Sequence, residues 1–250
     1  MRLNQYIAST GITSRRGADA LITAGKVCIN QKVVKDFSYQ VRPTDQVSVS
    51  GKPVTHASSV RLWLYHKPPG YITTHQDPQG RATIFSLLQG QDPGLPRLIS
   101  VGRLDMNSEG LLLLTNSGIL AHHFMIPTRG WKRRYRVRVH GLLSAEQVKS
   151  LPLTCTIEGE HFTFSSIEWT HQQNTNAWLE VTLTEGKNRE VRKYFSHHGF
   201  PVTRLIRTSY GPFHLGTLKR HQLKEIKISV IKEQIGPALW KEIQQSHALN

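Results

Sequence analysis

Residues 101–118 read V-G-R-L-D-M-N-S-E-G-L-L-L-L-T-N-S-G. Arg103, Asp105 and Glu109 stand here among glycines, just before four consecutive leucines. Charged side chains at the border of so apolar a run are expected at the edge of a protein core, where an enzyme can tune a carboxylate for chemistry. This segment is therefore the first candidate for a functional site.

Two kinds of metal site compete with this interpretation, and we predict neither. Asp105 begins the pattern D-x-N-x-E-G, which imitates a calcium-binding loop, but such a loop needs a bidentate acid at its twelfth position and the chain has Asn116 there. The adjacent histidines His122-His123 and His197-His198 would project about 100° apart on a helix, so both members of a pair rarely bind one zinc ion. The chain also lacks a cofactor fingerprint, and we expect no cofactor.

The chain is strongly basic. Its 250 residues include 32 lysines and arginines against 17 acids, a net charge of +15, which favours nucleic acid as partner and an anionic membrane surface second. A merely soluble basic protein is the alternative. The longest aliphatic run, Leu111–Leu114, is far shorter than the roughly 18 residues that span a bilayer, and residues 1–5 lack a signal-peptide core. Cys28 and Cys155 make no disulfide framework, so we expect a cytoplasmic protein without a membrane partner.

Residues 1–55 form the first predicted domain. The patterns predict a helix over Asn4–Ser9, a second helix that Ser14 caps and Gly25 ends, a strand over Val27–Ile29, a turn at Asn30-Gln31 and a strand over Gln46–Val49. The polar segment Gly51–Ser59 carries glycine and proline without periodicity, and we interpret it as the linker to the next domain.

Basic residues cluster in this first domain. Arg15 and Arg16 stand at the start of the second helix, where a cation opposes the helix dipole, and Lys26 and Lys32 follow in the adjoining turn and strand. Cations in a locally unfavourable position indicate a contact made elsewhere, and RNA phosphates are the contact that we predict. The alternative is a solvated basic face.

Residues 60–235 form the second predicted domain. The predicted strands are Arg61–Tyr65, Arg134–His140, His161–Trp169, Ala177–Leu183 and Val202–Thr208, and the predicted helices are Ile119–Met125, Ala145–Leu151 and Val191–His198. Strands and helices that mix without a βαβ rhythm predict an α+β fold around a mixed or antiparallel sheet. A helix over Glu233–Gln245, interrupted at Gly236-Pro237, sets residues 236–250 apart as a C-terminal helix or tail.

The strand around Tyr135 has one apolar and one basic face. Tyr135, Val137 and Val139 share the first face, and Arg134, Arg136 and Arg138 share the second. A face so cationic repels itself unless phosphates neutralise it, so we predict that the three arginines contact RNA. The alternative is an edge strand charged against aggregation.

A third segment, residues 185–195, reads E-G-K-N-R-E-V-R-K-Y-F. It predicts a strand end, a turn and a helix with Asn188 as N-cap. Lys187 and Arg189 crowd the N-terminus of that helix against its dipole. A docked carboxylate or phosphate would relieve the conflict, so we predict both as RNA-binding residues.

These segments together resemble known families. Residues 2–30, R-L-N-Q-Y-I-A-S-T-G-I-T-S-R-R-G-A-D-A-L-I-T-A-G-K-V-C-I-N, resemble the S4-type RNA-binding domain. The motifs G-R-L-D-M-N-S-E-G-L-L-L-L-T-N-S-G, K-R-R-Y-R-V-R-V and E-G-K-N-R-E-V-R-K-Y-F, with residues 64–71, resemble those of the pseudouridine synthases of the ribosomal small-subunit synthase A family. Residues 77–85 look most like the large-subunit synthase B group. Ser108, Ser117 and Glu190 depart from the family's more common Thr, Asp and Gln.

The resemblance implies an enzyme that isomerises a uridine of ribosomal RNA, 23S before 16S, and acts as a monomer without cofactor or metal. It implies that Asp105 is catalytic, as nucleophile or as base, that Arg192 is its basic partner, and that Tyr135 packs on the target base. Because the reacting atoms lie within a base stack, the uridine has to be extruded or unpaired, and by analogy Arg103 is a candidate for filling the vacated space. The rival hypothesis, a non-catalytic S4-domain assembly factor, gives no reason for these catalytic residues to occur together.

Overall fold

The computed structural model describes residues 1–54 and 59–247, with side chains as far as residue 245, and its first part is a small domain. The elements of this domain are α1 (Leu3–Ser9), α2 (Arg15–Thr23), β1 (Val27–Ile29), β2 (Lys32–Val33), β3 (Val47–Val49) and β4 (Lys52–Pro53). The strands pair antiparallel in the order β2-β1-β3-β4. The two helices pack against this sheet around a core that includes Leu3, Ile7 and Ile22.

Local chemistry explains the boundaries of these elements. The Ser14 side chain accepts a hydrogen bond from the Gly17 N–H at 3.0 Å, so Ser14 caps α2 as predicted. Asn30 and Gln31 have positive φ angles of 50° and 69°, the geometry of the type I′ turn that joins two antiparallel strands most tightly. The predicted turn at this position is confirmed.

The predicted linker begins too early in the chain. Lys52 and Pro53 pair with Val49 and Ser48 as strand β4, and Val54 is buried in the core of the first domain. Glycine and proline, which are typical of linkers, belong here to a short edge hairpin. Residues 55–58 of the predicted linker lie outside the described residues.

The second domain carries a mixed sheet with helices on both sides. Its elements are β5 (Leu62–Lys67), α3 (Ile84–Gln91), β6 (Ile99–Ser100), β7 (Glu109–Thr115), α4 (Gly118–Met125), β8 (Arg133–His140), α5 (Ala145–Ser150), β9 (Thr154–Ile157), β10 (Glu160–Thr163), β11 (Ser166–Gln173), β12 (Asn176–Leu183), α6 (Glu190–His197), β13 (Val202–Tyr210), β14 (Phe213–His214), β15 (Leu223–Glu225) and α7 (Ile228–His247). The sheet order is β11-β12-β8-β13-β7-β5-β15, with β13 and β7 parallel and the other neighbours antiparallel. The predicted α+β class is confirmed.

The four consecutive leucines form the centre of this sheet. Every residue of β7 is buried. Since side chains alternate across a strand, Leu112 and Leu114 pack into one apolar core and Leu111 and Leu113 into the other. Strand β7 therefore separates two cores, and the loop just before it carries Asp105.

Two predicted elements of this domain are wrong in their bounds. The predicted strand His161–Trp169 is two strands: β10 pairs with β9 in a separate two-stranded sheet, and β11 pairs with β12 in the main sheet. The chain leaves β10 at Phe164, whose ring is buried in the core, so the apolar alternation continues across the break. The C-terminal helix begins earlier than predicted, at Ile228, and bends at Gly236, where φ is 77°.

The bend lies at the predicted boundary between residues 235 and 236. On either side of it, Ile235 and Ile243 are buried in the same apolar core as Leu111 and Leu113. Cys28 and Cys155 are free thiols in different domains. Among the described residues, no helix combines the length and the apolar character that a membrane span requires.

Candidate active site

A cavity of about 510 Å3 opens at the end of the main sheet where β7 begins. Five parts of the chain line it: the loop of residues 102–108, the start of β8, the loop of residues 183–191 that leads into α6, strand β13 and the segment after α4. Asp105 and Tyr135 both line this cavity. The fold therefore brings together two of the three residues predicted to be catalytic.

The Asp105 carboxylate is partly open to solvent, with 35% of its side chain exposed. The Ser108 N–H donates to the Asp105 carbonyl oxygen at 3.0 Å, which closes a tight turn between Asp105 and β7. A second loop holds this turn from the other side, because the Gly70 N–H donates to the Met106 carbonyl at 2.8 Å. The carboxylate is thus accessible to a ligand while its backbone is fixed.

Lys67 lies beneath this turn and is fully buried. Its Nζ donates to the carbonyl oxygens of Pro68 and Ser108 at 2.9 Å and of Met106 at 3.3 Å. Burial lowers the pKa of Lys67 to about 8, although the nearby Asp105 and Glu109 act in the opposite direction. One ammonium group therefore ties the loop after β5 to the loop that carries Asp105. The sequence shows only a lysine followed by two prolines, so our prediction assigned Lys67 no role.

Arg189, and not Arg192, is the cation closest to the Asp105 carboxylate. The Arg189 Nη1 lies 3.9 Å from the Asp105 Oδ2. Arg192 instead donates to the carbonyl oxygens of Asn107 and Val202, each at 3.0 Å. In this structure Arg192 thus acts on Asp105 by longer-range charge and by holding the backbone two residues beyond it. Its role as the basic partner of Asp105 stays a prediction.

The two arginines lie on either side of the start of α6. The helix begins at Glu190, and its N-cap is Arg189, in the left-handed conformation at φ 51° and without a capping side chain. The predicted N-cap, Asn188, lies one residue too early. This shift leaves Arg189 outside the helix, where its side chain reaches the cavity, while Arg192 lies within the first turn.

Glu190 and its neighbours fix the loop that carries Arg189. The Glu190 side chain is only 3% exposed, and its Oε2 accepts the Lys187 N–H at 3.1 Å. Burial, followed by the charge of Glu185, raises the pKa of Glu190 to about 7 although the Lys187 N–H favours the charged form. The Lys187 ammonium donates to Glu185 and to the His161 carbonyl. Lys187 thus lines the cavity with its charge already partly compensated.

Tyr135 presents an aromatic ring to the cavity. It is 8% exposed and belongs to the larger apolar core. Its neighbours across the sheet are Val181 on β12 and Arg207 on β13. A ring fixed in this way offers a flat apolar surface on which a nucleobase can stack.

The three predicted RNA-binding arginines of β8 do not line the cavity. The Arg136 guanidinium lies 4.5 Å from the Trp178 ring centroid, and Arg138 lies 5.8 Å from it and donates to Thr203. Cation–π contacts of this kind stabilise the charge within the protein. Arg136 and Arg138 therefore do not require phosphates to be stable on this face, and their contact with RNA, like that of Arg134, stays a prediction.

The remaining predicted cations are exposed. Arg15 and Arg16 open α2, Lys26 and Lys32 flank β1, and Arg103 stands at the rim of the cavity beside Asp105. Within the described part of the chain, none of these five forms an ion pair. They are free to meet a polyanion.

Sequence reasoning also missed a buried acid with two arginines. The Glu109 side chain is almost completely buried and accepts from Arg204 at 2.5 Å and from Arg220 at 2.9 Å. This cluster ties β13 and the segment before β15 to the start of β7. Among the described residues, no group of three or more histidine, cysteine, aspartate or glutamate side chains is arranged to hold a metal ion.

The comparisons with known proteins agree with this geometry. Residues 61–197 match the RNA pseudouridylate synthase family, and residues 1–47 match the S4 domain. An uncharacterized RNA pseudouridine synthase of Rickettsia prowazekii is 44% identical over 237 residues, which are 94% of this chain and 97% of that protein. Ribosomal large subunit pseudouridine synthase B of Yersinia pestis is 37% identical, over 86% of this chain and 68% of its own.

A solved structure shows the same fold. The crystal structure of a pseudouridylate synthase covers 93% of this chain and 98% of its own, with a TM-score of 0.61 and 24% sequence identity. The family match extends over more than half of the chain, and the aspartate, the tyrosine and the arginine-bearing helix of the cavity lie within it. The chain therefore belongs to the RNA pseudouridylate synthase family and carries an S4 domain ahead of its catalytic domain.

Proposed function

We propose that this pseudouridine synthase isomerises a uridine of large-subunit ribosomal RNA, with Asp105 as its catalytic carboxylate. The observation that carries the role of Asp105 is its position: it is a partly exposed acid of a cavity that also offers a fixed aromatic ring and a cation at 3.9 Å. Glu185, the other partly exposed acid of the cavity, is paired with Lys187 at 2.9 Å. The large subunit is proposed because relatives 37% identical to this chain are named large subunit synthases.

The reaction requires little beyond these groups. The N1–C1′ bond of uridine breaks, the uracil ring turns, C5 bonds to C1′, and the proton on C5 is lost to a base while N1 gains one. Asp105 attacks the sugar as a nucleophile or removes a proton from it as a base. Arg189 supplies a positive charge beside the carboxylate, and Tyr135 supports the ring while it turns.

The RNA has to present the uridine outside its stack. Exposed cations surround the cavity mouth: Arg103 on one side, and Lys187 and Arg189 on the other. We propose that Lys187 and Arg189 contact phosphates next to the target and that Arg103 fills the space that the uridine leaves. The S4 domain adds Arg15, Arg16, Lys26 and Lys32 as contacts to more distant phosphates, read by shape and charge.

Asp105→Asn tests the proposal. The variant should fold and bind RNA as the unsubstituted protein does, and should lose release of tritium from RNA labelled at uracil C5, because an amide is neither a nucleophile nor a base here. Glu146→Gln, an acid-to-amide change at an exposed position of α5, is the matched control and should keep full activity. Near-normal release by Asp105→Asn would refute the role of Asp105.

Mapping pseudouridines in cells that lack the protein tests the substrate. We expect one large-subunit position to lose its pseudouridine and to regain it when the unsubstituted gene, but not the Asp105→Asn gene, is returned. Loss of a small-subunit pseudouridine would show the same chemistry on the other subunit. Unchanged modification together with an assembly defect would favour a non-catalytic assembly factor.

A further inference from the structure

Two side chains of the cavity each carry a buried polar atom without a hydrogen-bond partner. Arg207 is 2% exposed and Ser108 is 1% exposed, and both line the cavity. Among the described residues, the Arg207 Nη2 and the Ser108 Oγ have no hydrogen-bond partner. Arg207 also forms no ion pair with a described carboxylate.

The sheet holds Arg207 in place. The parallel pairing of β13 with β7 reaches Arg207 opposite Gly110, and the Arg207 Nε donates to the Leu111 carbonyl at 2.7 Å. Gly110 has φ 105°, and a Cβ there would lie 2.4 Å from the Arg207 carbonyl oxygen. Glycine thus allows a close approach of the two backbones, and the guanidinium lies 5.2 Å from the Tyr210 ring centroid. The unpartnered Nη2 belongs to a rigid side chain.

The Arg207 guanidinium has the Leu111 carbonyl at 2.7 Å and the Tyr210 ring centroid at 5.2 Å as partners, but its Nη2 has none. Buried polar groups in folded proteins nearly always have hydrogen bonds. The ligand that occupies the cavity is the natural source of the missing partners. Phosphates suit the exposed cations at the rim, Lys187 and Arg189. Arg207 and Ser108, which are almost inaccessible to solvent, suit the part of the substrate that enters deepest, the base.

We propose that Arg207 and Ser108 recognise the target uracil through its C4 carbonyl and its N3–H. The guanidinium donates to O4, and the Ser108 hydroxyl accepts from N3–H. Cytosine carries an amino group at C4, so it would set donor against donor at the guanidinium. The Ser108 hydroxyl can accept from N3–H of uracil or donate to the unprotonated N3 of cytosine, so the discrimination between the two bases lies with Arg207. This inference rests on the proposed function, since it takes the cavity as the site of the target uridine.

Free bases test the inference on the unsubstituted protein. Arginine side-chain NMR signals are followed while uracil, cytosine, 2-thiouracil, 4-thiouracil or inorganic phosphate is added. Uracil and 2-thiouracil should shift the Arg207 signal. Cytosine and 4-thiouracil should bind roughly 10- to 100-fold more weakly, the effect of losing a hydrogen bond to a charged donor. Phosphate should leave the Arg207 signal unchanged.

Two variants complete the test. Arg207→Lys assigns the signal by removing it, and the shorter, point-like ammonium should abolish the preference for uracil over cytosine. Arg42→Lys changes an exposed arginine of the first domain and should preserve that preference. Ser108→Ala should weaken the binding of uracil and of cytosine to a similar extent and preserve the preference for uracil, because the hydroxyl can bond N3 of either base. The free-base comparison needs no variant, so a folding defect in Arg207→Lys would not affect it.

Three results would overturn the inference. The first is equal affinity for uracil and cytosine, and the second is weaker binding of 2-thiouracil with normal binding of 4-thiouracil. The third is displacement of uracil from Arg207 by inorganic phosphate. The tritium-release assay on ribosomal RNA keeps the two proposals separate. Turnover without a uracil preference would overturn this inference alone. A uracil preference without turnover would overturn the proposed function alone.

Discussion

Replacing Lys67 by methionine tests how the protein holds the loop that carries Asp105. The substitution removes three hydrogen bonds but leaves only two carbonyls without a described partner, Pro68 and Ser108, because the Met106 carbonyl keeps the Gly70 N–H. Each buried carbonyl left unpaired costs about 1–3 kcal/mol. In the opposite direction, methionine removes the cost of burying an ammonium group.

That cost follows from the pKa of Lys67. Burial lowers it from 10.5 to about 8, which corresponds to roughly 3 kcal/mol, since one pKa unit is about 1.4 kcal/mol. The two effects nearly cancel at neutral pH, so Lys67→Met should change the free energy of unfolding by no more than about 3 kcal/mol. Activity should fall much further, by about 100-fold, because a 1 Å displacement of a catalytic group has about that effect.

The stability difference between the unsubstituted protein and Lys67→Met should also change with pH, in a direction that the pKa of Lys67 determines. Between pH 8 and 10.5 the unfolded chain keeps the Lys67 proton while the folded chain releases it. The unfolded state therefore binds more protons, and the stability of the unsubstituted protein relative to Lys67→Met should rise across this interval. Urea unfolding at several pH values, alongside tritium release, measures both effects.

Lys224→Met, at an exposed position on the neighbouring strand β15, is the matched control and should show neither effect. A stability difference that does not change between pH 8 and 10.5 would refute the role of burial. An activity loss no larger than the unfolded fraction of Lys67→Met would refute the role of Lys67 in holding the loop.

Three further changes test other parts of the site. Glu190→Gln should become more stable than the unsubstituted protein as pH rises from 4.5 to about 7, by up to roughly 3 kcal/mol, because the raised pKa of Glu190 makes its ionisation unfavourable in the folded state. Thermal unfolding of both proteins across this range checks it, and a stability difference that does not change with pH would contradict it. Arg189→Ala should lower single-turnover rates more than it lowers stability, whereas Arg192→Ala should lower both, since Arg192 also binds two backbone carbonyls; equal behaviour of the two variants would contradict the assignment. Deleting residues 1–55 should leave a folded catalytic domain that binds ribosomal RNA more weakly. The slope of log K against log salt should become flatter by about 0.7 to 0.9 for each phosphate that the shortened protein no longer binds. An unchanged slope would indicate that the basic face of the first domain is merely solvated.

The sequence predicts best those elements that bury one face only. Strand β8 alternates cleanly because Tyr135 faces the core and Arg136 faces outward, and the cap of α2 follows from Ser14 alone. Strand β7 carries no alternation, since both of its faces are buried, and the run Leu111–Leu114 did not reveal whether it was a strand or a helix. The break between β10 and β11 was missed for the opposite reason, because Phe162 and Phe164 continue the alternation where the chain turns.

The site was predicted where chemistry is local and missed where it depends on long-range contacts. Asp105 stands out beside its own glycines and leucines. Lys67 gains its role from carbonyls about 40 residues away, and Arg207 from the strand that starts at Glu109. Near the carboxylate, Arg189 makes the ion pair while Arg192 binds two backbone carbonyls, a difference that the sequence of residues 189–192 does not show. Only the packed chain determines which of several nearby arginines reaches a given group.

The net charge of +15 takes on a more specific meaning in this fold. Arg136 and Arg204 are engaged by the protein itself, the first by Trp178 and the second by Glu109. Contacts of this kind fix the side chains and offset part of their charge, which reduces what they can contribute to binding a polyanion. Arg103 at the cavity rim and Arg15 on α2 are exposed and outside the described ion pairs. An RNA-binding surface inferred from such unpaired cations includes the first domain and the mouth of the cavity, and the basic face of β8 contributes to it less than its composition suggests.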